Sequence, residues 1–209
     1  MSGATILAAS DTTNTPQTAK AGLAKARELA ERAVELDPEF GPGWGSLAEA
    51  YLRTGQHEES LEAIQKAIQF APSDSLMRAN YGRYLGYVGR AEEGIEQVKK
   101  AMRMSPDSLP MLYFLGANQR AAGRFEAAIE SLLEHRKRLS GRILPAPTTQ
   151  LIAAYSESGD LTNASNTVSL LLNAAPGFSV NKASKIHTYK NLQDQQKFAD
   201  ALMKAGLPN

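Results

Sequence analysis

The sequence predicts an all-α chain, a right-handed α-solenoid of helix–turn–helix repeats closed by C-terminal covering helices. Three observations carry this. Glycines at 55, 89 and 123 recur every 34 residues. Prolines at 38, 72 and 106 keep the same period. Between these markers apolar residues return at spacings of three and four, which gathers them on one helix face. A single two-helix unit of this size cannot bury its apolar faces, so successive copies must stack.

Residues 1–17 are rich in Thr, Ser and Asn and read as a flexible leader. Residues 18–40 read as a half repeat, because Ala26, Ala30 and Ala33 followed by Pro38 match a second helix without a recognisable first one. Residues 41–74 hold the clearest unit. Trp44, Leu47, Ala48 and Tyr51 share a face of its first helix, and Gly55 ends that helix in a left-handed conformation. Ser60, Ile64 and Ala67 line the second helix, and Pro72 stops it. Small residues at 48 and 60 suit a close approach of the two helices. Residues 75–108 repeat the pattern in register, with Arg78 where Trp44 stood.

The unit at 109–144 departs from the pattern at its close, where Ser140 replaces the proline. The run RKRLSGRILPAP predicts a longer second helix and then an extended linker ending at Pro145 and Pro147. The unit at 145–178 resumes two residues late and ends at Pro176. Residues 179–209 read as two capping helices, the second with Leu192, Phe198, Leu202 and Met203 as an apolar stripe.

The set Trp44, Leu47, Ala48, Tyr51, Gly55, Ser60, Ile64, Ala67 and Pro72 resembles the tetratricopeptide repeat, and the resemblance runs from about residue 20 to residue 176. It implies a concave groove lined by the first helix of each pair, where peptides commonly bind. Carried onto this chain, the groove positions include Glu49, Arg53, Asn80, Arg83, Tyr87, Tyr113 and Arg120, a mixture of Arg and Tyr that suits recognition. Members that grip a C-terminal carboxylate use Lys and Asn on successive first helices. Gly45, Glu49, Pro110 and Phe114 stand at those places here, so that clamp is absent, although Asn80 matches one position. The ending DALMKAGLP also resembles the C-terminal tetratricopeptide region of bacterial class III cyclase-type signalling proteins.

Composition narrows the function. A formal net charge of +1 supplies no field for nucleic acid or an anionic membrane. The absence of Cys removes disulfides and thiol chemistry. No apolar run is long enough to span a bilayer, and the N-terminus lacks a basic signal region, so a cytoplasmic location is expected. His57, His135 and His187 are widely separated and read as surface residues rather than metal ligands. Glu58–Glu59 and Glu92–Glu93 lie in first turns, where they favour the helix dipole. No nucleotide-loop, hydrolase-elbow, zinc-protease or calcium-loop motif occurs. The basic run His135–Arg142 reads as cations solvating a helix end, with an acidic or phosphate-rich ligand as the competing use.

The expectation is therefore a non-catalytic scaffold without cofactor or metal, binding a protein or peptide partner and neither nucleic acid nor membrane. The alternative is the regulatory or oligomerising region of a larger signalling protein, acting as a homodimer. Reversing Arg83 and Arg120 to Glu is expected to leave folding intact and weaken partner capture.

Overall fold

Each first helix ends where the backbone turns left-handed. Gly55, Gly89, Gly123 and Gly159 all have positive φ, between 76° and 91°. A side chain at such a position is strained, which is why the period is marked by glycine. A computed structural model describes residues 16–209, with side chains from residue 21. Of the expected leader, all but Pro16 and Gln17 lies outside the described residues.

Among the described residues there are eleven helices and no strand. The first, α1, spans Pro16–Leu36. Four hairpins follow: α2 Gly41–Arg53 with α3 His57–Phe70, α4 Ser75–Tyr87 with α5 Ala91–Met104, α6 Leu109–Ala121 with α7 Phe125–Arg138, and α8 Pro145–Ser158 with α9 Leu161–Ala174. The chain ends in α10 Val180–Ile186 and α11 Leu192–Lys204. The described residues divide into two compact units, 16–77 and 78–209, with the division inside α4.

In the first unit α2 packs on both α1 and α3. Leu47, Ala48, Ile64 and Ala67 are buried, and the Ser60 hydroxyl donates to the Ala48 carbonyl at 2.8 Å. A small residue at 60 thus allows close approach and also satisfies a buried carbonyl at the crossing. Trp44 is half-buried. Its indole N–H donates to the Pro38 carbonyl at 2.8 Å, and Lys66 lies 4.1 Å above its ring.

In the second unit α4 and α5 meet backbone to backbone. A Cβ added at Gly94 would stand 2.6 Å from the Gly82 carbonyl oxygen, and one at Gly82 would stand 2.7 Å from that of Gly94. The amide of Asn118 fills the space beside Gly86 and Gly94 and donates to the Phe114 carbonyl at 2.9 Å. Farther along, α10 and α11 pack on α8. Phe198 and Leu202 join Ile152, Val168 and Leu171 in one buried cluster. Pro208 accepts a backbone bond from Val180 at 2.8 Å, and Leu207 is buried in the same cluster.

Two local expectations need correction. The α7 helix is no longer than α3 or α5, each having 14 residues. Ser140 and Gly141, at φ 54° and 79°, stop it where the proline was due. The histidines are not surface residues either. His57 is 9% exposed, His135 5% and His187 0%.

Candidate functional site

Helical spacing puts the groove positions on the first helices, and each unit presents them differently. On α2 the Arg53 Nε donates to Glu49 Oε1 at 2.8 Å, a pair one helical turn apart with 33% and 24% of the side chains exposed. Gly45 and Leu52, which share that spacing, are buried. An ion pair this exposed contributes little stability, but it holds the arginine in one place.

On α4 Ala79 is fully buried, while Asn80 and Arg83 are half-buried. The Arg83 guanidinium lies 5.0 Å from the Tyr84 ring centre and 5.1 Å from that of Phe114. On α6 the half-buried Tyr113 ring stands 5.2 Å from Phe114. Burial, aided by the neighbouring Tyr87, pushes the Tyr113 phenol well above its ordinary pKa, against the pull of Arg83. It is a neutral phenol at physiological pH.

Tyr87 and Arg120 do not face open solvent, being 5% and 4% exposed. The segment between α10 and α11 lies over them. Arg120 spends its guanidinium on three partners. Nε donates to Gln150 Oε1 at 2.7 Å, Nη1 to Glu157 Oε2 at 2.8 Å, and Nη2 to the Tyr189 hydroxyl at 2.6 Å. Burial pulls the Arg120 pKa down, but Tyr189 and Glu157 together outweigh it and leave it raised. The cation also sits 5.0 Å from the Phe198 ring centre.

The same contacts assign the tautomer of His187. Gln150 accepts from Arg120 through Oε1, so its amide nitrogen faces His187 Nδ1 at 3.2 Å and the Tyr189 oxygen at 3.2 Å. Nδ1 must therefore accept, and the proton lies on Nε2, 2.9 Å from the Thr149 hydroxyl. Thr149 passes its own proton to the carbonyls of Ala146 and Pro145. Tyr87 closes the arrangement, its hydroxyl 3.2 Å from His187 Nδ1 and its carbonyl accepting the Lys190 amide at 2.8 Å. A carboxylate, a histidine and two phenols thus meet around Arg120; its bonds to Gln150 and Glu157 join α6 to α8, and those of His187, Tyr189 and Lys190 tie residues 187–190 to α4, α6 and α8. The arrangement clasps the segment between α10 and α11 onto these helices. Among the described residues no group of His, Asp or Glu is placed to hold a metal ion. No described helix is long and apolar enough to cross a membrane.

Gln150, His187 and Tyr189 are the members of this network absent from the expected groove positions, whereas helical spacing places Thr149 and Glu157 on the first-helix face of the fourth repeat. The sequence holds one signal for them, a histidine and a tyrosine in the short polar link after α10.

Comparisons with known proteins bear on the repeat fold. Residues 23–81 match the sequence profile of the family described as Tetratricopeptide repeat, which supports the repeat assignment over that span. A small glutamine-rich tetratricopeptide repeat-containing protein 2 of Mycosarcoma maydis is 33% identical over 49 residues, 23% of this chain and 14% of that protein. The chain thus spans about one seventh of that relative's length. Solved structures share the fold over most of the chain. A thermophilic tetratricopeptide protein of Thermus thermophilus matches 87% of this chain and 91% of its own, with TM-score 0.65 and 21% identity. The type IV pilus biogenesis factor PilW matches 88% and 82%, with TM-score 0.67 and 18% identity. YrrB, described as a tetratricopeptide protein with an unusual peptide-binding site, matches 86% and 91%, with TM-score 0.54 and 18% identity. The fold is that of an all-α tetratricopeptide solenoid. None of these relatives is described as a cyclase, so that resemblance rests on DALMKAGLP alone.

Proposed function

We propose that the chain is a non-catalytic protein–protein interaction module that takes a peptide or helix against its first-helix faces. One observation carries the reading: the half-buried arginines on these faces are already held, Arg53 by Glu49 and Arg83 over Phe114. A side chain ordered before binding loses less entropy when the partner arrives. The first unit offers Glu49 and Arg53 as contacts, and the second offers Asn80, Arg83 and the edge of Tyr113. Tyr87 and Arg120 act from beneath the second set by holding the 187–190 segment in place. Aromatic rings and guanidinium groups together favour a partner carrying both carboxylates and apolar side chains.

Peptide-library display against the purified chain tests this. Enriched peptides are expected to be acidic and to lose about tenfold or more in affinity for the Arg83→Glu variant, a change of about 1.4 kcal/mol or more. Enriched peptides that bind parent and variant equally remove the assignment.

Self-association is the rival use of the chain. It is favoured by α1, where Leu29 and Leu36 are 58% and 70% exposed. Light scattering that returns a monomer at every concentration removes it. A dimer that Leu36→Glu dissociates establishes it.

A further inference from the structure

The basic run at the end of α7 stands outside the groove reading. Two of its cations are engaged within the helix, Lys137 and Arg138 reaching Glu134 at 3.8 and 2.9 Å. Arg136 and Arg142 have no carboxylate within 4.0 Å among the described residues. Nor are they needed to cap α7. The amides of Leu139, Gly141 and Ser140 already take the carbonyls of His135, Arg136 and Lys137, at 3.2, 2.9 and 2.9 Å. Both arginines instead line one shallow cleft with His135, Thr148 and an apolar floor that includes Leu132 and Leu151.

His135 and Thr148 make the cleft more than a charged surface. Each is 5% exposed, and neither side chain has a hydrogen-bond partner among the described residues. Their polar atoms still reach solvent, so both groups can bond a ligand that enters the cleft. Burial lowers the His135 pKa, so the ring is neutral and still carries one N–H to donate. The first turn of α8 borders the same cleft through Pro147 and Thr148. Its N-cap, Leu144, offers no side-chain acceptor, so the positive end of that helix dipole is uncompensated locally.

We propose that Arg136, Arg142, His135 and Thr148 bind a phosphate group, either free or carried on a phosphorylated side chain. Two guanidinium forks, a hydroxyl and an imidazole N–H supply donors from more than one direction. That matches a tetrahedral dianion better than a planar carboxylate. The inference is independent of the groove reading, since no residue is shared.

Calorimetric titration of the whole chain at about 0.15 M salt, where charges outside the cleft are screened, tests it, with inorganic phosphate and with a short phosphoserine peptide as probes. Saturable binding with one site is expected. Arg136→Gln with Arg142→Gln is expected to weaken it by about tenfold or more. Lys137→Gln with Arg138→Gln removes the same charge from outside the cleft and is expected to leave affinity within about twofold of the parent. Circular dichroism checks that both variants keep their helices. Phosphopeptide binding at least about tenfold tighter than inorganic phosphate assigns the site to a phosphorylated polypeptide, and equal affinities assign it to the free anion. Absence of saturable binding overturns the proposal, and so does equal loss in the two double variants, which would mark general attraction to a basic surface.

Discussion

Replacing Arg120 by glutamate is expected to detach the C-terminal segment and to cost the second unit about 3–5 kcal/mol, the loss typical when one member of a buried ion pair is removed. The substitution sets a second carboxylate beside Glu157, whose side chain is 8% exposed, and strips a donor from each of Gln150 and Tyr189. Lys197 stands 3.8 Å from the other Glu157 oxygen, but it is 63% exposed and screened by water, so it cannot replace a buried cation. Arg120→Met separates the parts of this loss. It keeps the apolar stem against Phe198 and removes only the charge and its bonds, so a smaller deficit is expected. Hydrogen exchange read peptide by peptide is the suitable measurement, because a stack of repeats need not unfold in one step. Residues 187–207 should lose protection first, while α2 and α3 stay protected. Unchanged exchange in that segment would show that the clasp contributes nothing to it. A charge reversal at the buried Arg120 therefore does not spare the fold, whereas one at the half-buried Arg83 is expected to.

Gly94→Ala is expected to have the next largest effect. The added methyl would overlap the Asn118 amide oxygen and approach the Gly82 carbonyl to 2.6 Å, closer than a real Cβ tolerates. One obstacle is a side chain and the other is backbone, so rotating Asn118 away does not relieve the clash. The helices α4 and α5 must separate, at about 1–3 kcal/mol or more. In a helix otherwise free to accept alanine the same change would stabilise by about 0.5–1 kcal/mol through propensity. The sign of the measured change therefore decides whether the two backbones touch. A midpoint of urea denaturation at or above that of the parent would mean that they do not.

The repeat architecture was legible because two markers with separate causes keep one period. Glycine recurs where the backbone must turn left-handed, and proline recurs where a second helix must stop. Neither marker speaks about partners distant in sequence. Arg120 lies on the face of α6 that spacing marks as exposed, but spacing cannot tell whether another segment lies over that face. Gln150, 30 residues on, and Tyr189, 69 residues on, meet it only after the chain has folded back. His187 was misread for the same reason. A lone histidine in a polar stretch carries no local sign of burial. The sequence overextends α7 because no proline marks its end, and a serine gives no local sign of the left-handed turn that Ser140 and Gly141 form.

The clasp also bears on how the chain can be made. In a plain stack of repeats each unit touches its neighbours, so folding begins anywhere and spreads by local steps. Here the bond between Tyr87 and His187 joins residues 100 apart. Closing so long a loop is entropically slow, and it cannot begin before the histidine exists. During synthesis from the N-terminus α4 and α6 emerge well before the segment that covers them. For that interval Tyr87 and Arg120 face the surroundings uncovered. The covering of α4 and α6 is then one late docking event, rather than the spreading of a repeat.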